Sequence, residues 1–256
     1  MNLGHCLGDR HAVSGSAARD AIDIAHGKIT LTARVPTESE MVTSAEAVLG
    51  TQRRPVYCYV GCLHPGLGTV GLVFDRSCAD EFLQGISRCD SGGLAGGIGG
   101  FSFLPEDERI QALLELSFGG DALGAWREAF DVEVDTSYNC ATDYAQGERP
   151  NIQLWTDVRA RCITAVTQAI EDTPIELTQV DRRLWTWEAR LDHGPDFMRL
   201  RCLVLSQSQT NDLHELDLED LADIPAHVRI ITDRNSEDGP AELFASLAVA
   251  EALVSI

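Results

Sequence analysis

The segment spanning residues 88–101, RCDSGGLAGGIGGF, constrains this chain more than any other stretch. Six of the nine residues at 92–100 are glycine, and glycine loses more backbone freedom on folding than any other residue, so this density needs a geometric reason. Either the chain passes repeatedly through positive φ or its backbone approaches something closely. Three readings meet that requirement: a glycine-rich turn packed on a strand, a loop that touches a ligand, and a flap. Neither nucleotide fingerprint is present. There is no GxxxxGK[ST], and position 102 is serine where GxGxxG requires glycine.

With 256 residues, 44% of them hydrophobic, the chain is long enough to bury a proper core. Its 40 acidic residues against 20 basic ones leave a net charge of −20. Such a charge repels phosphate backbones, so nucleic acid is not expected as a delocalised electrostatic partner. No apolar run approaches the ~20 residues that span a bilayer, so no membrane is expected. The opening MNLGHCLGDRHAV lacks the charged start and apolar centre of a signal peptide. A cytoplasmic location is therefore expected, with the eight cysteines reduced. Cys58, Cys62, Cys162 and Cys202 fall on apolar faces and are expected to be buried.

Periodicity predicts an α+β fold in a single domain over residues 1–256. It comprises a mixed sheet with a central β-hairpin, amphipathic helices and a C-terminal strand–helix unit. Residues 1–25 read as loop or a poorly ordered arm. Alternation at 28–35 predicts a strand. Thr37 and Glu40 form a capping box for a helix reaching residue 49. Strands at 55–63 and 69–75, joined by HPGLG, read as the hairpin. Helices follow at 105–118 and 121–130, and residues 79–86 read as a short helix or irregular turn. Residues 131–150 are polar and turn-rich, the best candidate for an internal boundary. The clearest amphipathic stripe lies at 151–172. Strands at 175–180, 184–191 and 198–205 precede an acidic short helix, a strand at 227–232 and a terminal helix at 240–254. That last helix is apolar enough to suggest packing on another copy of the chain or on a partner protein.

Alternation along VYCYVGCLH places Val56, Cys58, Val60, Cys62 and His64 on one face, and Tyr57, Tyr59, Gly61 and Leu63 on the other. Cys62 and His64 then form a candidate nucleophile pair, with buried core thiols as the alternative. Tyr57 and Tyr59, beside a residue without a side chain, form a platform on which a ring could stack, or else are core tyrosines. In RRLWTWEAR, Glu188 and Arg190 share one strand face while Trp185 and Trp187 share the opposite one. A carboxylate in so apolar a strand must be paired or carry a raised pKa, and such groups concentrate at functional sites. The alternative is a salt bridge to Arg190 or a neighbouring arginine. Asp233, Glu237 and Asp238 follow a strand where α/β proteins often bind ligands, although capping of the next helix explains them too. His214-Glu215 lacks a partner motif, so no metal site is inferred.

Arg54 before the strand VYCYV, Ser91 in the middle segment and Glu188 on a late strand are similar in order to the ADP-ribosyltransferases. The serine-threonine-serine run and the ExE motif of that family are absent here. The resemblance implies a split β-sheet cleft holding nicotinamide adenine dinucleotide (NAD) as co-substrate. It also implies catalytic roles for Glu188, Ser91 and Tyr57, and ligand contacts from Arg54, Tyr59, Asp90, Gly92 and Gly93. Glu188 would hydrogen-bond the ribose and stabilise an oxocarbenium-like state as nicotinamide leaves. The competing expectation is a non-enzymatic binding or interaction module whose glycine-rich segment is purely structural.

Overall fold

A computed structural model describes residues 2–9, 12–32, 45–51, 53–64, 67–97, 105–125, 187–194, 197–216, 222–233, 244 and 247–254. Within them the chain is α+β. Its elements in order are β1 (Leu3–Leu7), α1 (Ala17–Ala25), α2 (Ala45–Leu49), β2 (Val56–Val60), β3 (Val70–Phe74), α3 (Cys78–Phe82), β4 (Leu83–Ser87), α4 (Ser91–Gly96), α5 (Glu106–Leu116), β5 (Ser117–Phe118), β6 (Glu188–Leu191), β7 (Leu200–Ser206), α6 (Gln207–Leu216), β8 (Arg229–Asp233) and α7 (Leu247–Val254). The strands join in one eight-stranded sheet of order β5-β4-β6-β2-β1-β3-β7-β8. The described strands form one continuous sheet where the family resemblance implies a split one. All neighbours are antiparallel except β7 and β8, which run parallel with α6 between them. The expected C-terminal strand–helix unit corresponds to β8 followed by α7, whose described part is Leu247–Val254.

The central hairpin is not. β2 and β3 are never neighbours, because β1 lies between them and pairs antiparallel with both. The HPGLG connection looked like a local turn, yet the pairing is non-local. The reason is visible at Gly4, where an added Cβ would stand 1.8 Å from the carbonyl oxygen of Cys62. Only a residue without a side chain lets β1 enter that slot. Residues 1–25 are correspondingly not a loose arm. They supply β1 and the amphipathic α1, whose N-cap Ser16 accepts from the Arg19 amide. Three smaller corrections follow. Of the strand expected at 28–35, the described part holds only a bridge from Thr32 to His193. The short helix expected at 79–86 is α3, but it ends at Phe82 and the strand β4 follows directly from Leu83. The glycine-rich segment begins as a helix, α4, rather than a turn or loop. The expected elements at 151–172 and 175–180, Cys162, and the boundary at 131–150 lie outside the described residues, as does the second half of 121–130.

One face of the sheet carries the main core. Leu3, Val56, Cys58, Val70, Leu72, Phe74, Ile86, Ala189 and Leu203 pack there with Ile22 and Ala25 of α1 and with Cys78 of α3. The other face is divided. Directly opposed residues on antiparallel strands share a face, so one row runs Ser117, Ser87, Glu188, Tyr59, Gly4, Val73, Cys202. Its β3–β7 half is apolar, and Val73, Cys202, Val204 and Phe244 pack beneath Val249 and Leu253 of α7. Its β4–β6–β2 half is polar and yet buried, on the side where α4 packs against both α2 and α5.

Candidate functional site

Glu188 stands at the centre of that polar half, 1% exposed. Period-two alternation on β6 turns Glu188 and Arg190 to this face and puts Trp187, Ala189 and Leu191 in the main core, as the sequence pattern predicts. Tyr59 of β2 and Ser87 of β4 flank Glu188 in register, while Tyr57 and Gly85 flank Arg190.

The helix α4 brings the second half of the site. Asp90 is its N-cap, with Oδ1 accepting from the Gly93 amide at 2.6 Å. Gly97 ends the helix in the left-handed region, φ +63°, where its amide donates to the Gly93 and Leu94 carbonyls. This explains one glycine of the run through positive φ. Leu94, wholly buried, anchors the helix. Ser91, also wholly buried, is the first helical residue. Its amide donates to Oε2 of Glu188 at 3.3 Å, and its hydroxyl shares a very short hydrogen bond with Oε1. The Tyr59 hydroxyl donates to Oδ2 of Asp90 at 3.2 Å.

Burial, reinforced by the negative charge of Asp90, pushes the Glu188 carboxyl up to about 8; the Arg190 charge and the two Ser91 hydrogen bonds oppose this less strongly. Glu188 therefore holds its proton through the neutral range while Asp90 sits beside it. Burial and the neighbouring charge of Asp90 thus both favour the protonated form of Glu188. Burial first, then the charge of Asp90, also raises Tyr59.

Toward the edge of the cluster, Tyr57 is only half-buried. Its hydroxyl donates to Oε1 of Glu46 at 2.5 Å. The half-exposed Arg54 reaches the same carboxylate at 3.6 Å and stands 6.0 Å over the Tyr57 ring. Burial, then the fields of Glu188 and Glu46, raise the Tyr57 phenol, so it is a hydrogen-bond donor throughout the working range.

The fold thus gathers Glu188, Ser91, Asp90, Tyr59 and Gly93 in direct contact, with Tyr57 and Arg54 beside them. Gly92 is in the same helix but exposed, and within reach of an added Cβ there it has only Asp90 Oδ1, at an ordinary 3.6 Å. The expected arginine partner of Glu188 is replaced. Its hydrogen bonds come from Ser91, and Arg190 acts through its field alone. Glu46 and Arg88 went unsuspected. Glu46 is buried in the first turn of α2, and an acidic residue ahead of AVL reads simply as a helix start. Arg88, also buried, stacks between Phe118 at 4.7 Å and Trp187 at 5.3 Å.

Cys62 and His64 do not continue the face of Cys58 as the alternation predicts. β2 ends at Val60, and Gly61 takes φ +67°, which breaks the alternation. Cys62 then packs with Tyr59 on the opposite face. The His64 ring lies against Tyr59 at 5.8 Å, and its backbone amide donates to Cys6 Sγ at 3.1 Å. Cys58, Cys62 and Cys202 are buried as expected. Glu237 and Asp238, and the side chains of Asp233, His214 and Glu215, lie outside what is described. Among the described residues no group of three or more His, Cys, Asp or Glu side chains is placed to hold a metal ion, and no helix is long and apolar enough to cross a membrane. Set against protein-family models, curated proteins and solved structures, the chain matches none of them.

Proposed function

We propose that the chain is an enzyme whose acid–base centre is the Asp90–Glu188 pair, acting on the nicotinamide–ribose bond of NAD. The observation that carries the reading is the buried pair itself. A carboxyl group kept protonated in neutral solution beside a second carboxylate is an arrangement that costs stability, and such arrangements concentrate where chemistry is done. The choice of NAD rests on the order of Arg54, Ser91 and Glu188 along the chain. Ionised Glu188 stabilises positive charge developing on the ribose as the C–N bond breaks and nicotinamide leaves with the bonding electron pair. The acceptor hydroxyl or water adds to that carbon and gives its proton to the carboxylate pair. Activity should therefore rise with pH toward a plateau above about 8, as Glu188 ionises. A cytoplasmic, small-molecule enzyme is the corresponding setting. Chromatographic detection of nicotinamide released from NAD tests this directly. No release across that pH range, or release unchanged in Glu188→Gln, would remove the reading.

One observation favours a non-enzymatic module instead. Asp90 has a full structural use as the cap of α4, and Ser91 and Glu188 are sealed from solvent. On that reading no dinucleotide stabilises the protein in a thermal-shift titration.

A further inference from the structure

Glu188 is not the only buried ionisable group in the cluster. Arg190, two residues along the same face of β6, is 4% exposed. Its guanidinium donates one long hydrogen bond, from Nη2 to the Ile86 carbonyl at 3.5 Å. Nη1 is buried and has no hydrogen-bond partner. The neighbouring Glu188 meets it only through its field, the hydrogen bonds of that carboxyl coming from Ser91. A buried cation in this condition is costly, and breaking such pairs is among the more damaging changes a core can suffer.

The fold nevertheless makes room for it. Gly85 lies opposite Arg190 on β4, and an added Cβ would stand 2.6 Å from Nη2 and 3.0 Å from Nε. The guanidinium therefore lies across β4 only because that position has no side chain. Glycine in a strand interior weakens the strand and marks a close approach. Two locally unfavourable features, an unpartnered fork and the glycine that admits it, coincide beside the carboxylate pair. Arginine's planar fork is matched to the paired oxygens of phosphate and carboxylate, and a buried fork gains most from such a partner.

We infer that Arg190 is the receptor for an oxyanion group of the ligand, with Nη1 donating to it and Gly85 admitting the guanidinium to its place across β4. The inference deepens the enzyme reading, since it assigns the substrate-anchoring residue of the same centre and limits substrates to those bearing a phosphate or carboxylate.

The test uses the full chain and two probes, inorganic pyrophosphate and malonate, titrated separately while the melting temperature is followed. One of them should stabilise the protein saturably, and which one does so identifies the source of the oxyanion. Arg190→Gln should weaken that binding roughly 10- to 100-fold, the span expected for losing a charge-assisted hydrogen-bonded fork. Arg201→Gln, which removes a pairing between β7 and Asp75 just after β3, should leave it unchanged. Should the glutamine variant fail to fold, guanidinium nitrogen resonances of the wild-type protein decide. The signal that is lost in Arg190→Lys must move on titration. No saturable stabilisation by either probe, undiminished affinity in Arg190→Gln, or an unmoved Arg190 resonance overturns the inference. The two readings fail separately. Oxyanion binding through Arg190 without nicotinamide release leaves this subsite standing and removes the NAD chemistry. Nicotinamide release that neither probe inhibits, with KM unchanged in Arg190→Lys, does the reverse.

Discussion

Replacing Glu188 by glutamine separates a strained functional carboxyl from a structural one. In the folded protein the group titrates at about 8 against an ordinary value of 4.5. Its folded-state pKa is raised, so its contribution to stability is complete below 4.5 and is lost as pH climbs to about 8. Over that window the unfolded chain releases a proton that the folded chain retains. At ~1.4 kcal/mol per pH unit, the whole span sets a ceiling of roughly 5 kcal/mol, and the loss near neutral pH is roughly 3 kcal/mol. Glutamine imitates the protonated acid. Its amide oxygen can accept from the Ser91 amide while its nitrogen donates to the Ser91 hydroxyl oxygen, preserving both contacts. The variant should therefore be more stable than wild type near neutral pH, by up to ~3 kcal/mol, and the advantage should shrink to nothing on approaching pH 4.5. Denaturant unfolding at a series of pH values measures this. A variant less stable than wild type at neutral pH, with a gap independent of pH, would refute the reasoning. It would mean that Glu188 is ionised in the folded protein and held in a structural ion pair.

Gly4→Ala should be among the most damaging single changes, costing more than ~3 kcal/mol, because its Cβ meets the Cys62 backbone at 1.8 Å. Circular dichroism showing a fully folded variant with an unchanged melting temperature would contradict the placement of β1. Gly92→Ala should do the opposite and stabilise by up to ~1 kcal/mol, since alanine is the better helix former and nothing crowds its Cβ. If stability rises while dinucleotide binding is lost, a ligand approaches that backbone; if both are retained, it does not. In native protein the thiols of Cys58, Cys62, Cys78, Cys89 and Cys202 should react with a thiol reagent far more slowly than in denaturant, being buried. Burial also raises Cys58, Cys78 and Cys202. Immediate labelling of all of them would contradict the packing of both faces.

What was legible in the sequence was local. Period two along VYCYV and around Glu188 determined which side chains share a face, so Tyr57 with Tyr59, and Glu188 with Arg190, could be paired before any fold was known. The 3.6-residue spacing of α5 was equally readable, and the glycine density at 92–97 marked an unusual backbone. Even there, the helical outcome needed Asp90 as cap, Leu94 buried beneath and Gly97 at positive φ, acting together. What only the tertiary structure decided was everything carried by contacts between distant residues. The short LGHCL has too weak an alternation to announce a strand, and its place between β2 and β3 depends on Gly4 meeting a carbonyl nearly sixty residues away. The hairpin suggested by HPGLG gives way because β1 lies between the two strands and pairs with both. Asp90 and Glu188 belong to one site only because Ser91, at the start of α4, meets Glu188 of β6 across nearly a hundred residues of chain. Desolvation, the largest influence on Glu188, is a property of the surrounding volume rather than of any neighbour in the chain.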